Sequence, residues 1–152
     1  MRKLIIFCTF VLSFISAPLF GQSVKENQVP IEVRNSFKAK YPNVYVYEWE
    51  WVKKKNFYEA EFNMKGNEYD AYFNPDGTWV YTKREIKNNN LPEPIKLTIN
   101  NSEYAHWKID DIDEYSSPQY DTLYRVELKQ QKQKVKLYFL PDGKKVENVN
   151  FY

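Results

Sequence analysis

Cysteine and histidine are almost missing from this chain: 152 residues hold one of each, Cys8 and His106. Cys8 lies in an N-terminal apolar stretch, and removal of that stretch leaves no disulfide, no thiol nucleophile and no cysteine metal ligand. A zinc site would then draw nearly all its ligands from carboxylates, which is not the zinc pattern. A surplus of one charge is missing too. The 22 Lys and Arg stand against 20 Asp and Glu, and loss of Arg2 and Lys3 with the leader leaves 20 of each. A basic, nucleic-acid-type surface is therefore not indicated. No apolar run reaches the roughly 20 residues of a membrane-spanning helix. The length suits one compact domain or two very small ones, which excludes a large multidomain enzyme.

Arg2-Lys3, the apolar run Leu4 to Ile15, and the smaller residues Ser16-Ala17-Pro18 leading to Gly21-Gln22 have the layout of a secretory signal peptide. The expected cut follows Gly21, giving a leader of residues 1–21. Leu19 is bulky for the third position before that cut, so a cut after Ala17 stays open. Cys8 sits inside the apolar run and not behind a cleavage motif, so no lipidated N-terminus is expected. The expected product is periplasmic or secreted and does not span a membrane after cleavage.

Behind a polar lead, Gln22 to Gln28, Val33, Phe37 and Tyr41 recur every four residues between Pro30 and Pro42. That spacing predicts a helix with one apolar face. Tyr45, Tyr47, Trp49 and Trp51 then alternate with Val46, Glu48, Glu50 and Val52, a period of two that predicts a strand. Phe57 to Asn63, Glu68 to Phe73 and Trp79 to Thr82 follow as strands. They are separated by Lys53 to Asn56, Lys65-Gly66-Asn67 and the strong turn Asn74-Pro75-Asp76-Gly77.

The pattern then recurs. Tyr58-Glu59-Ala60-Glu61-Phe62 returns as Tyr124-Arg125-Val126-Glu127-Leu128, and Tyr72-Phe73-Asn74-Pro75-Asp76-Gly77 returns as Tyr138-Phe139-Leu140-Pro141-Asp142-Gly143, both 66 residues on. Leu91-Pro92-Glu93-Pro94-Ile95 resembles the helix start at Pro30-Ile31 with an offset of 64, while Asn100-Asn101-Ser102 shortens the second helix. The expected fold class is α+β: a tandem repeat of one helix plus a four-stranded antiparallel sheet, with units at 29–90 and 91–152. Units of that size bury little surface alone, so the halves are expected to share a core or extend one sheet. Tyr58, Ala60 and Phe62 should share the helix-covered face, leaving Glu59, Glu61, Arg125 and Glu127 on a face open to water.

The leader, the Val33, Phe37, Tyr41, Pro42 helix, the Trp49-Glu50 strand and the two Tyr-Phe-x-Pro-Asp-Gly blocks together resemble the PepSY-like family of small exported Bacteroidetes proteins. That family is similar in fold to the beta-lactamase-inhibitor protein. The resemblance covers nearly the whole mature chain. It implies the fold, export and a binding or protease-restraining role, and it carries over no catalytic residue. Inhibition of a beta-lactamase does not follow from fold alone.

Chemistry in the sequence is sparse. His106 with Ser102, Ser116 or Ser117 would suggest a hydrolase, but no nucleophile elbow surrounds any of these serines. Asp110, Asp111, Asp113 and Glu114 lack calcium-loop spacing and read as a solvated acidic patch. Glu59 and Glu61, two apart on a strand, fit the carboxylate spacing of glycosidases, yet Glu59 is replaced by Arg125 in the repeat. Lys53-Lys54-Lys55 beside aromatics could bind nucleic acid, but a lysine-bearing turn also guards an edge against aggregation. No cofactor, metal ligand or catalytic residue is expected. Asp76, Gly77, Asp142 and Gly143 are read as turn residues.

The aromatic content remains. The mature chain keeps all 13 Tyr, all 4 Trp and, without Phe7, Phe10, Phe14 and Phe20, six of the 10 Phe. Tyr45, Tyr47, Trp49 and Trp51, taken as one strand face, either pack beneath the helix or, with Tyr58, Tyr72 and Tyr81, form a binding surface. The expected function is non-catalytic recognition or inhibition of an exported protein or cell-envelope component, without nucleic acid. A small-ligand-binding envelope protein is the alternative, and an uncharacterised hydrolase a third. Edge strands leave a homodimer open.

Overall fold

The structure is a computed structural model and describes residues 21–151. The leader other than Gly21 lies outside the described residues. Two helices form where apolar side chains recur on one face. In α1, Ile31–Lys40, Val33 and Phe37 are buried one turn apart, and Pro30 immediately precedes the helix. The Tyr41 amide donates to the Phe37 carbonyl at 2.8 Å before Pro42 stops the chain continuing. In α2, Glu93–Asn100, Ile95 and Ile99 take the same places. Ser102 ends α2 by donating its hydroxyl to the Ile99 carbonyl at 2.7 Å. The helix starts at Ile31 and Glu93 lie 62 residues apart and not 64, because Pro30 corresponds to Pro92.

The strands are β1 (Gln22–Ser23), β2 (Val46–Val52), β3 (Phe57–Met64), β4 (Asn67–Phe73), β5 (Trp79–Glu85), β6 (Lys108–Ser116), β7 (Leu123–Gln130), β8 (Gln133–Phe139) and β9 (Lys145–Val146). They form one nine-stranded sheet in sequence order, and every pairing is antiparallel. The fold is α+β as expected, and of the two expected arrangements of the halves, a shared core or one extended sheet, the extended sheet is the one formed. The seam is β5 on β6, where Lys83 pairs with Tyr115 and Glu85 with Asp113. Both β2 and β6 carry a bulge, between Val46 and Glu48 and between Ile109 and Asp111. A bulge inserts one unpaired residue and so switches the face on which the following side chains lie.

Three apolar clusters result. Beneath α1, Val33 and Phe37 meet Trp49, Ala60, Phe62, Ala71 and Phe73. Beneath α2, Ile95 and Ile99 meet Ile112, Val126, Leu128, Leu137 and Phe139. The third cluster contains Phe57, Tyr72, Tyr81, Tyr115 and Leu123, with Val149 and Phe151 packed against it. Phe151 stacks on Tyr115 at 5.0 Å between centroids and lies 4.9 Å from Tyr81. The face expected to be open to water is therefore closed at one end by the C-terminal segment.

Candidate binding face

The sheet face opposite the helices is set by cross-strand register. One row runs Glu50, Glu59, Tyr72, Tyr81 and the next Glu48, Glu61, Asp70, Lys83, Tyr115. In the second half, Glu85, Asp113, Arg125 and Tyr138 form a row, beside Asp111, Glu127 and Lys136. This face thus has an aromatic end under Phe151 and a charged remainder spanning both halves.

The charges are arranged differently in the two halves. Over β2 to β4, carboxylate faces carboxylate, an arrangement that opposes strand pairing. Lys83 answers it in part, holding Asp70 at 2.9 Å. Tyr72 donates its hydroxyl to Glu59 Oε1 at 2.5 Å. Burial, reinforced by the nearby Asp70 and Glu50, pushes the Glu59 carboxyl up to about 7 against the opposing Tyr72 bond and Lys83. Burial and then Asp70 also raise Glu61. Over β6 to β8 the cation lies at the centre: Arg125, 13% exposed, pairs with Asp111 at 2.5 Å and with Asp113. Lys134 pairs with Asp110 at 2.6 Å and Glu127 at 2.5 Å. Asp113 and Glu127 are themselves buried.

Two shallow grooves mark the charged part. One of about 390 Å³ is lined by Gly21, Glu50, Lys55, Glu59, Tyr72 and Lys83 among others. The second, about 500 Å³, lies between the halves and includes Glu61, Asp70, Lys83, Glu85, Asp113 and Arg125.

The aromatic row does not survive as one surface. The bulge at Tyr47 divides it: Trp49 is buried at 5% exposure in the core beneath α1, while Tyr47 is 41% exposed and donates to Glu68. Tyr45 precedes β2 and is exposed. Trp51 lies against Tyr58 with centroids 4.7 Å apart, and Tyr58 packs on the cluster under α1. Tyr72 and Tyr81 do lie on the face away from the helices but are buried in its aromatic cluster. Of the seven aromatics, Tyr45 and Tyr47 alone are exposed. Arg125 lies on this face as strand alternation predicted, whereas Asp111, Asp113, Lys83 and the covering Phe151 are face residues that sequence reasoning did not assign to it.

The turn residues keep their expected geometry. Asp76 and Asp142 accept from the amides of Thr78 and Lys144 at 2.8 and 2.9 Å, and Gly77 and Gly143 both have φ of 87°. Ser117 accepts from the Tyr120 amide at 3.1 Å and shapes the β6–β7 connection. His106 is exposed before β6, and Ser116 ends it. The strand between them spans about 30 Å at ~3.3 Å per residue, so these two cannot form a catalytic pair. Of the acidic patch, Asp110 is exposed, Asp111 and Glu114 are half-buried and Asp113 is buried; Asp110, Asp111 and Asp113 pair with Lys134 or Arg125, and Glu114 pairs with Arg84 at 2.9 Å. Among the described residues no group of three or more His, Cys, Asp or Glu could hold a metal ion, and no helix is long and apolar enough to cross a membrane.

Helices on one face of a continuous antiparallel sheet, with a charged face opposite, define a sheet-presenting α+β class. A family model described as "Putative beta-lactamase-inhibitor-like, PepSY-like" matches residues 21–68 and 56–146, and the chain belongs to that PepSY-like family. Among solved structures, the chain is similar to a BLIP-like protein from Bacteroides fragilis at 29% identity and a TM-score of 0.66, covering 76% of this chain and 82% of that one. It is also similar to a DUF2874 family protein from Bacteroides ovatus, at 24% identity and a TM-score of 0.69 over 78% of this chain and 84% of that one. A third, a DUF2874 family protein from Bacteroides uniformis, is 21% identical with a TM-score of 0.67 over 78% and 86%. No curated protein matches.

Proposed function

We propose that this is an exported, non-catalytic binding protein that recognises another exported protein or a cell-envelope component through the charged part of its sheet face. The observation that carries this reading is the continuity of that face across the β5–β6 seam, where Lys83 and Glu85 from one half adjoin Asp113 and Arg125 from the other. A partner seated there touches both halves at once, and charged groups held in fixed geometry favour selectivity and fast encounter. Family membership and the BLIP-like relative support the same reading.

The halves are read as two copies of one helix-plus-four-strand unit, 29–90 and 91–152. Trp49 pairs with Ala60 as Ile112 pairs with Val126, and both first strands bulge at the residue immediately before the Glu48–Glu61 and Asp111–Glu127 pairs. In this reading the copies have diverged on the sheet face, one becoming acidic and the other charge-paired, which gives the partner a direction along the sheet.

Capture from envelope extract and spent medium tests the function, with Glu48→Lys/Glu61→Lys as the control. Both acids are partly exposed and lie away from the helices, so the variant should fold and lose the partner. Equal capture by wild type and variant removes this surface as the site. Saturation by a low-molecular-weight compound instead would favour the small-ligand alternative in the groove between the halves. Trp49 is unsuited to this test, since its loss reports on packing.

A further inference from the structure

We propose that the acidic groove over β2 and β3 is the receptor for the chain's own α-ammonium group, created when the leader is cut after Gly21. The residues that follow the cut are already placed for it. Gln22 and Ser23 pair with Trp51 and Glu50, and the Val24 amide donates to the Trp49 carbonyl at 2.8 Å. Gly21 lines the groove and lies so close to Glu50 that a methyl on its α-carbon would come 2.2 Å from Oε2 and 2.7 Å from Cβ of that residue. In the uncut chain this place is filled by a neutral peptide group. Cleavage hydrolyses the Gly21–Gln22 peptide bond: water supplies the hydroxyl that leaves with the Gly21 carboxylate, and the Gln22 nitrogen takes protons to become an ammonium beside Glu50.

Three carboxylates line the groove against two lysines, Lys55 and Lys83. The groups facing it are Glu50 on β2, Glu59 and Glu61 on β3, Tyr72 on β4, Tyr81 and Lys83 on β5, and Lys55 from the β2–β3 turn. Lys83 is engaged with Asp70. Among the described residues Glu50 forms no ion pair, although Glu59 lies directly opposite it. An ammonium here separates two carboxylates that otherwise repel, and it fastens a two-residue edge strand that has little else to hold it. Glu59, held half-protonated near neutrality by its burial, would ionise more readily. Export and closure of the sheet edge are then coupled: the precursor holds a neutral peptide group in the acidic groove and the mature protein holds an ammonium there.

The test compares residues 22–152 with a free amine against the same chain acetylated at the α-nitrogen, both carrying Gln22→Ser so that the N-terminal glutamine cannot cyclise. The free-amine form should melt about 3 °C higher near pH 6.5, a shift of the size one ion pair gives a chain of this length. Its α-ammonium should titrate above the ordinary range of about 7.7–8.0. A folded-state pKa raised in this way stabilises fully below the unfolded value and is lost as pH rises through the folded one, so the two melting curves should converge in alkali. Glu50→Gln should abolish the difference. If that variant does not fold, the wild-type amine titration decides alone. Equal melting temperatures, an amine pKa in the ordinary range, or an exported protein that begins at Pro18 would overturn the proposal.

Discussion

Gly77, at the tip of the β4–β5 turn, rests on the backbone of Glu32 in the first turn of α1, where a methyl would lie 2.8 Å from both the carbonyl carbon and its oxygen. Gly143 stands in the same relation to Pro94, with the carbonyl oxygen at 2.6 Å, and Thr98 donates its hydroxyl to the Gly143 carbonyl at 3.0 Å. Each Pro-Asp-Gly turn therefore does more than reverse the chain, since it seats a helix on its sheet. Gly77→Ala and Gly143→Ala should each cost about 2 kcal/mol, combining left-handed strain with overpacking. Gly66 also has positive φ but meets nothing within 4 Å, so Gly66→Ala should cost only about 1 kcal/mol. Urea titrations of the three variants check this, and equal losses would remove the docking role.

Among the described residues Arg125 is the one cation ion-paired with Asp111 and Asp113, at the centre of the second half's sheet face. Arg125→Met should destabilise the protein by about 3 kcal/mol, because it strands the buried Asp113 carboxylate and does not merely delete a contact. Adding Asp113→Leu should recover part of the loss. A single variant as stable as wild type in chemical denaturation would contradict this.

Glu59 should make stability fall as pH rises. Its folded pKa, about 7, exceeds an unfolded carboxyl value of roughly 4.3, so its stabilising protonated form persists below the unfolded value and is lost as pH passes through the folded one. The loss should not exceed about 4 kcal/mol. Glu59→Gln should flatten this dependence and be the more stable protein at pH 8. The comparison belongs on α-acetylated protein, where no ammonium alters the field, and thermal melts from pH 5 to 8 read it directly.

Phe151 should be a structural residue. Phe151→Ala should cost about 2 kcal/mol and expose Tyr81 and Tyr115. Increased binding of a hydrophobic fluorescent dye, with the fold retained by circular dichroism, is the expected reading.

The fold was legible where chemistry is local. The four-residue spacing of Val33, Phe37 and Tyr41 announced α1, and the repeated Pro-Asp-Gly blocks announced the hairpins. Alternation put Ala60 and Phe62 on one face and Glu59 and Glu61 on the other. The aromatic row failed because a bulge leaves no mark on periodicity: one extra residue at Tyr47 separated side chains that alternate perfectly in the sequence. Tyr81 lies on the sheet face away from the helices yet is buried, and what packs on it is Phe151, some seventy residues away in the chain and in no regular element. Arg125 looked like a departure from its repeat partner Glu59. Asp111 and Asp113, the acids it pairs with, became visible as its neighbours only with the register of β6 on β7.

Because every strand after the first pairs with the strand before it, the sheet can be laid down in the order in which the chain emerges. The cluster beneath α1 draws on nothing later than Trp79, so the first half can close its core while the second is still being made. Each new hairpin then adds to an existing template, with short loops and little entropy of closure. A nascent chain interrupted after Glu85 would present one growing edge, that of its newest strand, and a helix already docked behind it.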